Sequence, residues 1–313
     1  MSFDLYLYPG GDQPPLDPER FLGALRGKLY TPSDDCVAYS NPDTGVEFTF
    51  TYYEGGAEAE GTDSKEHSQA FRARPHVHFN LNYFRPHTFG LEAGRVLSRF
   101  ARALKLRQYD PQNGDERDAF DADAFLASYD KGNQGAHKAL RALGVGGDVL
   151  SLPAQLNRAL WDWNYNREEI ADDFLSCDVI DVFVPRIMFS REDRRARSFC
   201  LFPNLIPTAV PKVDRVLITR DKLAGPFESL SRATPAWVRW EELCAAAAGF
   251  EVRATEPDDE DHPHLILYRD EEYVNQESAP EALARWVAAL PDWPGRPDQI
   301  FPSKILDEEL CNV

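Results

Sequence analysis

One stretch of the chain, residues 76–107, changes its hydrophobic period halfway along, and this change constrains the fold more than any other feature of the sequence. Residues 76–83 alternate between polar and apolar, which is typical of a strand with one buried face. Residues 89–104 place their apolar side chains at helical spacing. Pro86 and Gly90 lie at the change, where the backbone must turn. The stretch therefore predicts a strand that leads directly into an amphipathic helix.

Other segments before and after this stretch complete a recognisable order of elements. Residues 2–8 and 46–53 alternate in the same way, and a short strand is predicted at 106–109. Asp17 and Pro18 predict the start of a helix after the first strand, with Asp17 as its N-cap and Pro18 as its first residue. The order is β-α-β-β-α-β, which is the split βαβ arrangement of ferredoxin-like domains. We therefore predict an α+β protein with a ferredoxin-like N-terminal half.

The alternation also assigns the strand residues to two faces of the sheet. The apolar face, expected to meet the two helices, consists of Phe3, Leu5, Leu7, Val46, Phe48, Phe50, Val77, Phe79 and Leu81. The opposite face, called the open face below, is polar and aromatic and consists of Asp4, Tyr6, Tyr8, Glu47, Thr49, Thr51, His76, His78, Asn80 and Asn82. This open face is either covered by the second half of the chain or is a binding surface.

Length and local composition predict how the chain is divided. A chain of 313 residues favours two domains. Residues 1–112 hold the ferredoxin-like elements, and residues 113–150 are acidic and then rich in glycine, which is typical of a connector with short helices. Residues 151–313 contain further predicted strands and helices. We expect this second half to be a mostly antiparallel α+β domain.

The charge of the chain limits its partners. Acidic residues number 52 against 34 basic ones, which gives a net charge of −18. Such a surface repels phosphate backbones, so we expect no nucleic acid partner. It attracts a basic protein. The alternative explanation for the acidity is general solvation of the surface.

Cysteine usage and hydropathy predict the compartment. The five cysteines are scattered and form no C-x-x-C motif, which is typical of a protein in a reducing compartment. The N-terminus lacks the features of a signal peptide. The sequence has no apolar run long enough to span a membrane. We therefore expect a cytoplasmic protein without a membrane partner.

The sharpest chemical feature is the pair His76 and His78. Residues i and i+2 of a strand point to the same side, so the two imidazoles could share one metal ion, with Asp4 or Glu47 as a further ligand. The alternative is a pair of histidines that are exposed or hydrogen-bonded on the open face. The absence of a third ligand at a diagnostic spacing favours this alternative.

The sequence lacks the motifs of the common classes of enzyme. Two His-x-His pairs, which begin at His76 and His262, invite comparison with the two-histidine phosphoesterases, but the hydroxyl residue that those enzymes use is absent from both pairs. The sequence has no P-loop, nucleophile elbow, dinucleotide-binding glycine motif or zincin motif. We expect no cofactor. A metal-dependent or phosphoester-acting enzyme centred on His76 and His78 is the alternative to a protein without catalysis.

Three arginines, Arg95, Arg99 and Arg102, follow one side of the predicted helix. Their spacing of four and then three residues places them on the same face. An exposed helix face that pairs with nearby acidic residues is favoured over an anion site.

The opening segment MSFDLYLY resembles the first residues of a group of uncharacterised bacterial proteins that begin MSFDLYF or MSYDLYF. The segments VFVPRIMF and VPKVDRVLI also resemble that group. Several of its members resemble immunity proteins of interbacterial polymorphic toxin systems. The resemblance implies a cytoplasmic protein that binds and blocks one cognate toxin and has no catalysis of its own.

Charge and resemblance together predict an immunity-type binding protein that neutralises a cognate, basic toxin domain by occluding it. Attraction between an acidic surface and a basic partner raises the rate of association. The predicted contact residues come from two acidic segments and from the open face, namely Asp115, Glu116, Asp118, Asp121, Asp123, Asp258, Asp259, Glu260, Asp261, Tyr6 and Tyr8.

Overall fold

Two units make up the chain in the computed structural model. The first comprises Met1–Ala154 and Ser303–Val313, and the second comprises Gln155–Pro302. Each unit is described by itself below. The described residues are 1–10, 13–55, 74–143, 149–176, 182–203, 208–220, 235–247, 264–267, 279–293 and 295–311.

The first unit contains a sheet of seven strands in the order β2-β3-β4-β5-β1-β6-β7. All neighbouring strands are antiparallel. The mixed α+β class of the prediction is therefore confirmed, with a large antiparallel sheet. The strands are β1 (Ser2–Pro9), β2 (Tyr30–Pro32), β3 (Cys36–Ser40), β4 (Glu47–Tyr53), β5 (His76–Asn82), β6 (Leu106–Asp110) and β7 (Asp115–Arg117).

The three strands that alternate in the sequence, β1, β4 and β5, and the predicted short strand β6 lie next to one another in the order β4-β5-β1-β6. Strands β2 and β3 extend one edge of this group, and β7 extends the other. The sequence analysis did not predict these three strands. They have only three to five residues each, which is too short for alternation to stand out.

The helices that pack on this sheet in the described residues include α1 (Pro18–Ala24), α2 (Thr88–Leu104) and α3 (Ala122–Ala142). The predicted cap of α1 is confirmed, because the side chain of Asp17 accepts a hydrogen bond from the Arg20 N–H at 2.8 Å. Helix α3 approaches α2 closely, and a Cβ atom on Gly90 would lie 2.7 Å from the Tyr129 ring. Within the described residues, no helix is long and apolar enough to cross a bilayer.

Aromatic side chains dominate the core between the sheet and these helices. All nine residues predicted for the apolar face are at most 4% exposed. Phe79 lies at the centre, with ring centroids 5.4 Å from Phe50 and 6.0 Å from Phe125 of α3. Edge-to-face and tilted ring pairs of this kind add to the stabilisation from burial.

The second unit contains a five-stranded sheet in the order β13-β12-β10-β9-β15 and a two-stranded sheet of β11 and β14. Only β10 and β12 run parallel among the described pairs of this unit's named strands. The strands are β9 (Met188–Glu192), β10 (Arg195–Pro203), β11 (Thr208–Pro211), β12 (Arg215–Thr219), β13 (Ala236–Arg239), β14 (His264–Leu267) and β15 (Gln299–Ile300). The helices are α4 (Ala154–Ser176), α5 (Trp240–Ala246) and α6 (Ala279–Ala289).

The division into units differs from the predicted one at two places. Residues 113–150, predicted as a connector, belong to the first unit, because β7 extends its sheet and α3 buries Phe125 and Tyr129 in its core. The last residues also return to this unit, where Ile305–Asp307 (β16) pairs in parallel with Leu150–Leu152 (β8) and precedes Glu308–Cys311 (α7). A short 3-10 turn, Pro302–Lys304, leads into β16.

Candidate functional site

A straight row of side chains crosses six strands on the open face of the first sheet. Residues directly opposite each other on paired strands project from the same face. The row, called the central row below, follows from five successive pairings and consists of Cys36, Thr51, His78, Tyr6, Tyr109 and Glu116.

Burial separates the two faces as the sequence predicts. On the helix side, Leu5 and Phe79 are at most 1% exposed. On the open face, the side chains of His78 and Asp4 are 22% and 31% exposed, and Tyr53 is 46% exposed. These side chains can therefore reach a ligand or partner, whereas Tyr8 and His76 on the same face are only 5% and 7% exposed.

A hydrogen-bonded cluster fixes the middle of the open face. His78 Nε2 lies 2.8 Å from Asp4 Oδ1, and Asn80 Nδ2 donates to the same oxygen at 2.7 Å. The Tyr6 ring stacks on the His78 ring, with centroids 5.0 Å apart and planes 21° from parallel. The hydrogen bond from His78 lowers the pKa of Asp4 below its usual value of 3.8, although partial burial opposes this shift. The cluster is therefore held in one geometry by four strand residues.

The lowered pKa of Asp4 predicts how this cluster responds to acid. A carboxylate with a lowered pKa in the folded state stabilises the fold above its unfolded pKa and loses this contribution as pH falls through the folded pKa. We expect Asp4→Asn to reduce the free energy of unfolding at pH 6, and the difference from the unmodified chain to shrink as pH falls below 3.8. Urea unfolding between pH 2.5 and 6 measures this, with the exposed Asp34→Asn as control. A difference that does not depend on pH would contradict the expected linkage.

The two histidines of the metal hypothesis lie on the open face, and each has another partner. His78 Nε2 contacts Asp4, while His76 Nδ1 lies 2.9 Å from the carbonyl oxygen of Arg74. Glu47, a predicted further ligand, pairs with Arg85 at 3.4 Å. Among the residues that the structure describes, no group of three His, Cys, Asp or Glu side chains is arranged to hold a metal ion.

Two arginines occupy much of the acidic segment predicted to contact a partner. Arg117 donates to Asp115 at 3.0 Å and to Asp121 at 2.8 Å. Arg107 pairs with Asp118. Local pairing therefore offsets much of the negative charge that the sequence places here.

The remaining acidic residues have different settings. Glu116 ends the central row and accepts a hydrogen bond from the Tyr8 hydroxyl, and burial together with this contact raises the pKa of Tyr8. Asp123 is exposed in the first turn of α3. The second predicted acidic segment, Asp258, Asp259, Glu260 and Asp261, lies outside the described residues. Of the predicted contacts, the structure brings Tyr6, Tyr8 and Glu116 together on one face.

Sequence analysis missed a buried polar residue behind the sheet. Glu92 of α2 is 0% exposed and accepts hydrogen bonds from Tyr39 Oη at 2.7 Å and Asn41 Nδ2 at 2.9 Å. Its position was visible as a signal, because Glu92 lies three residues after Phe89 and four before Val96 and so interrupts the apolar stripe of the helix.

The chain matches no protein-family model, no curated protein and no solved structure. Its function is therefore inferred from the chemistry of its own residues.

Proposed function

We propose that this chain is an immunity-type binding protein of a bacterial cytoplasm, which neutralises a cognate toxin by occluding it, and that the open face of the first sheet contacts the toxin. The central row is the observation that carries this proposal. It supplies two tyrosines, a histidine and a terminal carboxylate on one accessible surface. Tyrosine is enriched at the centres of protein interfaces because it buries a large area and loses little conformational entropy.

The charge of the open face supports a basic partner. Asp4 lies beside the Tyr6 and His78 stack, and Glu116 ends the row. Carboxylates next to aromatic rings suit arginine and lysine side chains, which pair with the carboxylate and lie over the ring. The net charge of −18 adds long-range attraction for the same partner.

The opposite face of the sheet supports the proposal in a second way. Residues behind the central row are fully buried against the helices, so the backbone of the row is held in place before a partner arrives. A surface that is already ordered loses less entropy when it binds.

We further propose that the first unit is an elaborated ferredoxin-like domain. The antiparallel order β4-β5-β1-β6, with α1 and α2 in the intervening chain, supports this arrangement. Strands β2, β3 and β7 are then additions that widen the open face.

Co-expression with the product of the gene immediately upstream tests the proposal. We expect that product to stop growth when expressed alone, and this chain to restore growth and to co-elute with it in size-exclusion chromatography. An upstream product that is harmless, or that does not co-elute, would overturn the immunity function.

Substitution of Tyr6 tests whether the open face is the contact surface. Because aromatic residues at the centre of an interface contribute strongly, we expect Tyr6→Ala to weaken toxin binding by about 30- to 1,000-fold, or about 2–4 kcal/mol. Calorimetric titration of the purified pair measures this. Phe301→Ala removes an aromatic residue that is 72% exposed elsewhere in the chain and should leave the affinity unchanged. Equal affinities for both variants would move the contact away from the open face.

A further inference from the structure

A groove of about 720 Å³ lies in the first unit, apart from the central row. Its walls come from Gly10 and Gln13, from the C-terminal end of α2, and from the segment between β7 and α3. The described residues that line it include none of the central row. This volume is within the range of sites that hold small organic molecules.

The groove concentrates positive charge in a strongly acidic chain. Arg102, Lys105 and Arg107 all line it. Arg107 is paired with Asp118, whereas neither Arg102 nor Lys105 has an ion-pair partner among the described residues. Both side chains are exposed, so in a chain with 52 acidic residues they offer two cations that an anion can reach.

The backbone at this end of α2 satisfies two of the carbonyl groups that would otherwise repel an anion. The last carbonyl groups of a helix carry partial negative charge, which repels anions. Lys105 adopts a left-handed conformation with φ of 53°, and its N–H bonds the carbonyl oxygens of Ala101 and Arg102. These two carbonyls therefore point to a backbone donor, and the side chains of Arg102 and Lys105 determine the local charge.

Apolar side chains lie beside the cations in the groove. The exposed methyl group of Ala119 and the half-buried ring of Phe120 line it, while Leu106 and Ala101 are each only 2% exposed. A bare inorganic ion would leave this surface exposed to water. A ligand with an apolar body covers it and gains the free energy of burial.

We propose that the groove binds an organic phosphate monoester, with the phosphate between Arg102 and Lys105 and an apolar or aromatic body against Ala119 and Phe120. A phosphate monoester carries close to two negative charges at neutral pH, which matches the two cations. Arginine donates to two phosphate oxygens at once, while lysine acts as a point charge.

The sequence predicts that Arg95, Arg99 and Arg102 of α2 form an exposed helix face that pairs with nearby acidic residues. The structure differs from this prediction at Arg102. Arg95 has an interaction partner, but among the described residues Arg102 has no ion pair and lines the groove. Of these three arginines, only Arg102 therefore contributes to the proposed site.

Phenyl phosphate is the probe for the first experiment, in calorimetric titrations of the full chain at low ionic strength. Inorganic phosphate and phenol, which carry the two halves of the probe, are titrated in parallel. We expect saturable binding of one phenyl phosphate per chain, tighter than that of either half. No saturable binding at about 10 mM, an affinity weaker than about −3 kcal/mol, would overturn the site. Equal binding of inorganic phosphate would overturn the role of the apolar surface.

Two variants locate the binding in the groove. Arg102→Gln with Lys105→Gln should weaken phenyl phosphate binding about tenfold or more, because each lost charge-assisted contact matters strongly. Arg99→Gln with Lys138→Gln removes the same charge from exposed positions outside the lining and should bind as the unmodified chain does. Equal weakening by both pairs would show general electrostatic attraction and overturn the site.

A third variant blocks the groove without changing charge. Ala119 is exposed and lines the groove, so Ala119→Trp should fill part of the space at little cost to the fold. We expect it to abolish phenyl phosphate binding while the urea unfolding midpoint is preserved. Unchanged binding by Ala119→Trp would place the probe elsewhere. Toxin binding at the open face is unaffected by either result, so the two proposals fail separately.

Discussion

Replacing Asp307 by alanine should lower the free energy of unfolding of the first unit by about 1–3 kcal/mol. Asp307 is 2% exposed and contacts His87 through both carboxylate oxygens. Oδ2 accepts the His87 backbone N–H at 2.7 Å. His87 is the N-cap residue of α2 and makes no side-chain cap of its own. A residue near the end of the chain therefore satisfies an amide at the start of α2, a helix that packs against the sheet.

The second contact adds charge to this cap. His87 Nδ1 lies 3.1 Å from Oδ1, without the geometry of a hydrogen bond. It is an attraction between charges when the imidazole is protonated. Alanine at position 307 removes both contacts and leaves the His87 N–H without this acceptor. A buried donor that loses its acceptor keeps the full cost of desolvation.

Hydrogen exchange detected by mass spectrometry measures the loss for α2 and β16. The exposed neighbour Glu308→Ala, which removes the same charge, serves as control. All six tryptophans lie in the second unit, so tryptophan fluorescence during urea unfolding reports that unit. We expect Asp307→Ala to speed exchange in the first unit and Glu308→Ala to leave it unchanged. Equal effects of the two variants would contradict a specific cap.

Period alone was enough to predict strands β1, β4 and β5 and the two faces that they form. Each has a buried side that is nearly continuous, as in the row Phe3, Leu5 and Leu7. A period-2 pattern therefore fixes the register of strand pairing, because a slip of one residue would move every side chain of the strand to the opposite face of the sheet. The open face could be predicted for the same reason.

Contacts between distant residues could not be predicted in this way. Strand β16 pairs with β8, which lies 155 residues earlier in the sequence, and each has three residues. Helix α3 was assigned to a connector with short helices, because the segment is acidic and then rich in glycine. A Cβ atom on Gly132 would lie 2.1 Å from the Tyr83 hydroxyl oxygen, so close packing requires a glycine there. The structure has one helix of 21 residues instead of short helices.

The candidate contacts show the same limit. Net charge and local acidity predicted that Asp115, Asp118 and Asp121 would face a partner. The structure instead pairs all three with Arg107 and Arg117. The arginines were present in the same sequence window, but only the pairing of β6 with β7 brings Arg107 to this segment.

Replacing Glu92 by alanine should lower the free energy of unfolding of the first unit by about 2–4 kcal/mol. Glu92 accepts hydrogen bonds from Tyr39 and Asn41, which are 2% and 7% exposed. Alanine leaves two buried donors without this acceptor, and each such loss costs about 1–3 kcal/mol. Asn41 also begins the turn before β4, since Gly45 N–H donates to its carbonyl oxygen at 2.8 Å. The substitution therefore loosens α2 from β3 and from this turn.

Glu92→Gln separates the acceptor from the charge. Its amide oxygen can still accept from Tyr39 and Asn41, so we expect a smaller loss, about 1 kcal/mol. Urea unfolding followed by circular dichroism compares the two variants, and Tyr39→Phe with Glu92→Ala completes a double-mutant cycle. The double variant should lose less free energy of unfolding than the sum of the losses of its two single variants, because phenylalanine at position 39 has no hydroxyl donor that needs an acceptor. Strict additivity, or equal losses for alanine and glutamine, would show that Glu92 contributes through packing rather than through its hydrogen bonds.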